Sequence, residues 1–178
     1  MSPSDPSFSN TVAEYAAALE KFRTGNDLPK EWFAVPDHLA IKCANPADYE
    51  RTVQEWLPYA SHISYASINN RRLASIHLTS ALAVGNNGEV AWVEVMEPRP
   101  EKVGKDPVGI DHMEFLFPDF KAVITVLNAK NIPFEADENP LHKWISILAN
   151  GHEFKLNDQV LAKVVEYNLA NGLATVIK

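Results

Sequence analysis

The run GIDHMEFLFP, residues 109–118, decides how this chain is read. Strand alternation from its histidine puts His112, Glu114 and Leu116 on one face, with Met113 and Phe115 on the other. Pro118-Asp119 then introduces a helix whose apolar stripe is Phe120, Val123, Ile124 and Leu127. A second Asp-His pair, Asp37-His38, opens the run DHLAIKC, residues 37–43. There His38, Ala40 and Lys42 share a face, and Leu39, Ile41 and Cys43 lie behind them. Asn45 is a good N-cap and Pro46 a good first helical residue. Tyr49, Val53, Trp56 and Leu57 form the helical stripe, and Pro58 ends it. In both runs a histidine starts a strand and a helix follows.

Working outward, the resemblance between the halves continues. After the first helix come strands near 63–68 and 73–79, joined by the polar turn at Asn69-Asn70. Asn87-Gly88 marks a tight hairpin. It leads into a strand over 89–96 that sets Trp92, Glu94 and Met96 on one face and Val93 and Val95 on the other. In the second half, a weak strand near Phe134 and a strong one over 144–148 precede the hairpin signal Asn150-Gly151. The last strand, 153–156, turns Phe154 and Leu156 one way and Glu153 and Lys155 the other.

Each half therefore reads βαβββ. The fold expected is α+β: two such units forming one curved, mostly antiparallel sheet. It would be a partial barrel with helices outside, plus N- and C-terminal helices. The boundaries are 1–36 for an N-terminal tail and helical segment, 37–98 for the first unit, 99–108 for a proline-rich linker and 109–178 for the second unit with its C-terminal helix. All four make one integrated domain. Residues 1–8 read as a loose tail. Thr11 and Glu14 have capping-box spacing ahead of the stripe Val12, Tyr15, Ala16, Leu19 and Phe22. Trp32 and Phe33 read as core anchors. Asp158 would cap a final helix carrying Val160, Leu161, Val164 and Val165, and the chain from Gly172 either frays or lies along the sheet.

Composition narrows the function. The hydrophobic fraction of 46% and charged fraction of 22% are those of an ordinary globular protein. A net charge of -7 argues against nucleic acid, whose phosphates need a basic face. Arg71-Arg72 reads as a solvated hairpin edge. No apolar run is long enough for a membrane span, and the first residues lack the pattern of a signal peptide. With Cys43 as its single cysteine, the chain has no internal disulfide or thiolate zinc cluster. A cytoplasmic protein that binds a small molecule is the expectation. Both halves lie in one chain, so a monomer can complete the cavity.

The face opposite the helices carries His38, Lys42, Glu94, His112, Glu114, Glu153 and Lys155. So much ionisable chemistry on a concave surface points to a cavity rather than a dry core. Simpler readings stand beside it. A histidine at a strand start is often a hydrogen-bonded structural residue, and Glu94 can pair with Lys155 across the sheet. His77 and Trp92 line the same side, with filling the barrel as their default role. His62, His142 and His152 read as surface or turn residues, and Glu135, Asp137 and Glu138 as a solvated edge.

The duplicated βαβββ unit, with histidine on the first strand and a carboxylate on the last, resembles the vicinal oxygen chelate superfamily. That group includes glyoxalase I, extradiol dioxygenases and bleomycin-resistance proteins. Within it, DHLAIKC, INNRRLASIHL, VEVMEP, DHMEFLFP and NGHEFKLND are similar to the YecM-like proteins, whose activity is unassigned. The resemblance implies metal ligands at His38, Glu94 and His112. A fourth ligand position falls on Lys155, whose ammonium has no lone pair for a metal; Glu153, on the same face, is the substitute. The implied cofactor is a divalent transition metal: Zn, Ni, Co, Fe or Mn. Glu114 and Glu153 are the candidate bases. Lys155, His77 and Trp92 are the candidate substrate contacts. The implied activity is that of an isomerase, lyase or dioxygenase acting on a small oxygenated anion. The alternative is a metal-free binding module using the same cavity.

Overall fold

A computed structural model describes residues 3–68, 70–85, 88–105, 107–117, 119–138 and 142–176. The first repeat comprises β1 (Pro36–Lys42), α2 (Pro46–Trp56), β2 (Ala60–Ile68), β3 (Arg71–Ala83) and β4 (Glu89–Met96). The second comprises β5 (Gly109–Leu116), α3 (Phe120–Ala129), β6 (Glu135–Glu138), β7 (Lys143–Ala149) and β8 (His152–Asn157). Helix α1 (Pro6–Gly25) precedes them, and α4 (Leu161–Ala170) and β9 (Ala174–Val176) follow. The nine strands form one open sheet in the order β6-β7-β8-β5-β1-β4-β3-β2-β9.

Within each repeat the first and last strands pair in parallel, β1 with β4 and β5 with β8, and the remaining pairings are antiparallel. The repeats meet through the antiparallel pair β1·β5. Leu39, Ile41, Val93, Val95, Met113, Phe115, Phe154 and Leu156 are sealed from solvent on one face. They join Tyr49, Val53 and Trp56 of α2 and Val123 and Leu127 of α3 in one continuous core. Alternation then sends the histidines and carboxylates to the opposite face.

Local signals start and stop the elements. Asn45 accepts the Asp48 N–H, and Asp119 accepts the Ala122 N–H, so each caps its helix. Asn150 and Gly151, both at positive φ, close the two-residue hairpin between Ala149 and His152. Asn69, Asn87 and Pro118, each part of an expected turn or helix start, lie outside the described residues. Asn70 has φ +59° and Gly88 φ +103°. The edge strand β6 is exposed along its whole length. No helix among the described residues is long and apolar enough to cross a membrane.

The ends differ from the sequence reading in three places. Helix α1 starts at Pro6, capped by Asp5, whose carboxylate accepts the Ser7 N–H at 2.8 Å. Thr11 is inside that helix, its hydroxyl donating to the Ser7 carbonyl, so no capping box forms there. The expected tail over 1–8 is already helical from Pro6 and anchored by its last residue: Phe8 is buried and meets Trp56 edge-on, ring centroids 5.5 Å apart. Asp158 does not cap α4; its carboxylate accepts the Lys143 N–H, and Val160 occupies the cap position without a side-chain bond. Instead α4 lies against the sheet face carrying His77 and Trp92, and β9 adds to the edge of β2.

Candidate metal centre

The central strand pair brings the two Asp-His motifs together. His38 stands opposite Glu114, and His112 opposite Ala40. The register slips twice, between Pro36 and His38 and again between Ala40 and Ile41. The first slip leaves Asp37 as an extra residue on β1. The second leaves Asp111 as an extra residue on β5. An extra residue in a strand bends it and re-aims its side chains. Each aspartate can thereby reach back to the histidine that follows it.

Those contacts form in both halves. His38 Nδ1 is 2.8 Å from Asp37 Oδ2, and His112 Nδ1 is 3.0 Å from Asp111 Oδ2. A carboxylate on Nδ1 fixes the ring orientation and leaves Nε2 facing inward. The two rings stand 5.7 Å apart, edge to face. Their Nε2 atoms lie 3.8 Å and 3.7 Å from one oxygen, Oε2 of Glu114. The other oxygen of Glu114 accepts a 2.7 Å hydrogen bond from the Asn157 amide. All three side chains are buried.

The supports of the two halves differ. Asp37 also accepts the backbone N–H of Leu161 at 2.9 Å, which ties β1 to the start of α4. Asp111 pairs with the Lys42 ammonium at 2.5 Å. The Tyr15 hydroxyl of α1 meets the Asp111 and Ile110 carbonyls at 2.8 Å and 3.2 Å, holding the backbone at the bulge. Burial pushes the Tyr15 hydroxyl up to about 12, so it stays a donor at neutral pH.

Charge is unequal between the histidines. Burial alone would lower His38, but Glu114, Asp37 and Glu94 raise it to about 9. His112 is lowered, by burial and then by the Lys155 ammonium, against the pull of Asp111 and Glu114. Burial works to raise Glu114, yet His38 and His112 hold it below the usual carboxylate range. Burial likewise opposes ionisation of Asp111, but the His112 hydrogen bond and Lys42 keep it well below that range. Without an added ion, His38 and Glu114 therefore form a charged pair.

The donor set suits a divalent ion. One ligand atom each from His38, His112 and Glu114 lies within 4.8 Å of the others. The Nε2–Oε2 separations are too long for hydrogen bonds. Ligands bound at about 2.0–2.2 Å around one metal stand roughly 3–4 Å apart, so these atoms need little movement to share an ion. Two imidazoles and a carboxylate match Zn, Ni, Co, Fe or Mn.

The other sequence candidates take separate places. Glu94 is half-buried on β4, opposite Ala40 and Ser75, and stays outside the compact group while its charge raises His38. Glu153 accepts the Ser146 hydroxyl at 2.6 Å and lies 3.8 Å from the Lys155 ammonium. It also forms a group with Asp111 and His112 within 4.8 Å, in which Asp111 pairs with Lys42 as well. His77 and Trp92 meet each other, ring centroids 4.8 Å apart, under α4. Three residues escaped the sequence reading as contributors: Asp37 and Asp111 as histidine supports, and Asn157 as the partner of Glu114. The repeated Asp-His dipeptide was the available signal for the first two.

Two βαβββ repeats with facing histidines at the seam give this chain the duplicated α+β fold that the sequence resemblance implied. The chain belongs to the YecM protein family, whose model matches residues 5–166. A solved structure described as Structural Genomics, Protein EC4020, is similar with a TM-score of 0.74 at 16% identity, over 90% of this chain and 91% of that one. A methylmalonyl-CoA epimerase from Mycobacterium tuberculosis is similar with a TM-score of 0.54 at 17% identity, over 73% and 91%. No curated protein matches the sequence.

Proposed function

We propose that this protein binds one divalent transition metal ion through His38, His112 and Glu114, and acts on a small oxygenated anion there. The observation carrying this reading is the approach of both Nε2 atoms to a single buried carboxylate oxygen, with each Nδ1 held by its own aspartate. A bound ion would act as a Lewis acid, drawing in two adjacent substrate oxygens and stabilising enolate-like charge. Asp37 and Asp111 orient the rings, and Asn157 orients Glu114. Glu94 adds negative charge beside His38. Glu153, half-buried and 3.8 Å from the Lys155 ammonium, would be the base that accepts a substrate proton. Proton transfer beside a held oxygen pair fits an isomerase or lyase, and the epimerase among the fold neighbours is an isomerase by its name. Two histidines and a carboxylate are equally the donor set of a non-haem iron dioxygenase.

Metal analysis of protein purified without a histidine tag, after separate loading with Zn, Ni, Co, Fe and Mn, tests this. One ion per chain is expected in the wild type and in Glu94→Ala, and almost none in His38→Ala, His112→Ala or Glu114→Ala. No stoichiometric metal under any loading, or equal metal in the histidine variants, overturns it.

The charged His38–Glu114 pair favours a second reading, a metal-free binding module that satisfies its own buried charges. It requires a ligand to raise the melting temperature equally with and without a chelator.

A further inference from the structure

A cavity of about 250 Å³ opens at the end of the sheet where β1 and β8 bring Lys42 and Lys155 together. Arg71 at the start of β3, and Arg99 and Lys102 from the segment after β4, complete a ring of five cations. In a chain with 16 Lys and Arg and a net charge of -7, five cations around one small cavity are a local inversion of the protein's charge. Two carboxylates, Asp111 and Glu153, share the lining, so cations remain in excess.

The Arg71-Arg72 pair, read from sequence as a solvated hairpin edge, is divided in function. Arg72 is occupied: its guanidinium bonds Glu97 and Glu50 and lies 4.7 Å from the Tyr49 ring centre. Arg71 faces the cavity instead, and its buried Nε has no hydrogen-bond partner among the described residues. A buried donor left unmade is costly, and a guanidinium fork is shaped for the paired oxygens of a phosphate. The cavity borders the histidine centre on two sides. Asp111 in its wall holds His112 Nδ1, and Lys155 and Glu153 in its wall stand opposite Glu114 and His112 in the β5·β8 register.

We infer that this cavity binds the phosphate group of a small phosphomonoester whose other end faces the His38–His112–Glu114 group. The inference rests on the metal-site reading for where the reacting end lies, though the phosphate site stands on its own lining. The volume falls below the roughly 300–1,000 Å³ of sites for drug-sized ligands, a size suited to a phosphate group rather than to a whole nucleotide.

Calorimetric titration of the full chain at constant ionic strength, in the presence of chelator, tests it with inorganic phosphate and with glycerol 3-phosphate as probes. Saturable binding of both is expected, with the ester at least as tight. Arg71→Gln and Arg99→Gln should each weaken it by about tenfold or more, the scale of a lost charged hydrogen bond. Arg99 is exposed, so its variant probes binding without disturbing the core. No saturable binding, binding unchanged in both variants, or binding of phosphate but not of the ester would overturn the inference. Because chelator is present throughout, failure of metal binding leaves these outcomes intact.

Discussion

Replacing Glu114 by glutamine removes one buried charge and almost nothing else. The side chain keeps its shape, and its carbonyl oxygen can still accept the Asn157 amide hydrogen that now arrives at 2.7 Å. What disappears is the negative charge 3.8 Å from His38 Nε2. At that distance and an effective dielectric of 20, the attraction is about 4 kcal/mol. This corresponds to roughly three pH units of histidine titration. With burial then opposed only by Asp37 and the more distant Glu94, His38 should titrate below neutrality instead of near 9. The assay is an NMR titration of the imidazole Cε1–H signals in chelator, with His38→Gln to assign the resonance. A stability consequence follows with a definite sign. In the wild type the folded value lies above the usual 6.5. The stabilisation is therefore complete below about pH 6.5 and is lost as pH rises through 9. Melting temperature in chelator should fall over that window in the wild type but not in Glu114→Gln. A His38 signal that still titrates near 9 in the variant would refute the pairing argument.

Three further substitutions test the histidine supports and the packing of α1. Asp37→Asn and Asp111→Asn keep a hydrogen-bond acceptor on each Nδ1 but remove its charge; competition titration with a chromophoric chelator should show metal binding 10–100-fold weaker, roughly the usual cost of altering such a partner. Gly85, at φ +64°, would place an added Cβ 2.7 Å from the Ala16 Cβ of α1. Left-handed strain and overpacking together should cost Gly85→Ala about 2–4 kcal/mol in urea denaturation, and a loss under about 0.5 kcal/mol would contradict the packing of α1 on this loop.

The duplication and the two histidines were legible because their signals are local. An Asp-His dipeptide, a strand of alternating polarity and an N-capped helix recur within each half. The third member of the site was half legible. Alternation put Glu114 on the His112 face, but only the β1·β5 register puts it opposite His38. Glu94 has the same alternation on a strand flanking β1, so without that register the two carboxylates look interchangeable. The bulges were hidden because an extra residue leaves no mark in a hydrophobic pattern. The position of α4 depends on a bond between Leu161 and Asp37, 124 residues apart in sequence. The start of α1 was available in Asp5-Pro6, an N-cap followed by proline, and was masked by the later Thr11–Glu14 spacing.

The acidic edge strand β6 bears on how copies of this protein meet in a crowded solution. An open sheet ends in backbone groups that a second chain can adopt as a template. Here that margin carries Glu135, Asp137 and Glu138 in four residues. Two molecules aligning these margins would set carboxylate rows face to face, so mutual repulsion opposes pairing at this edge.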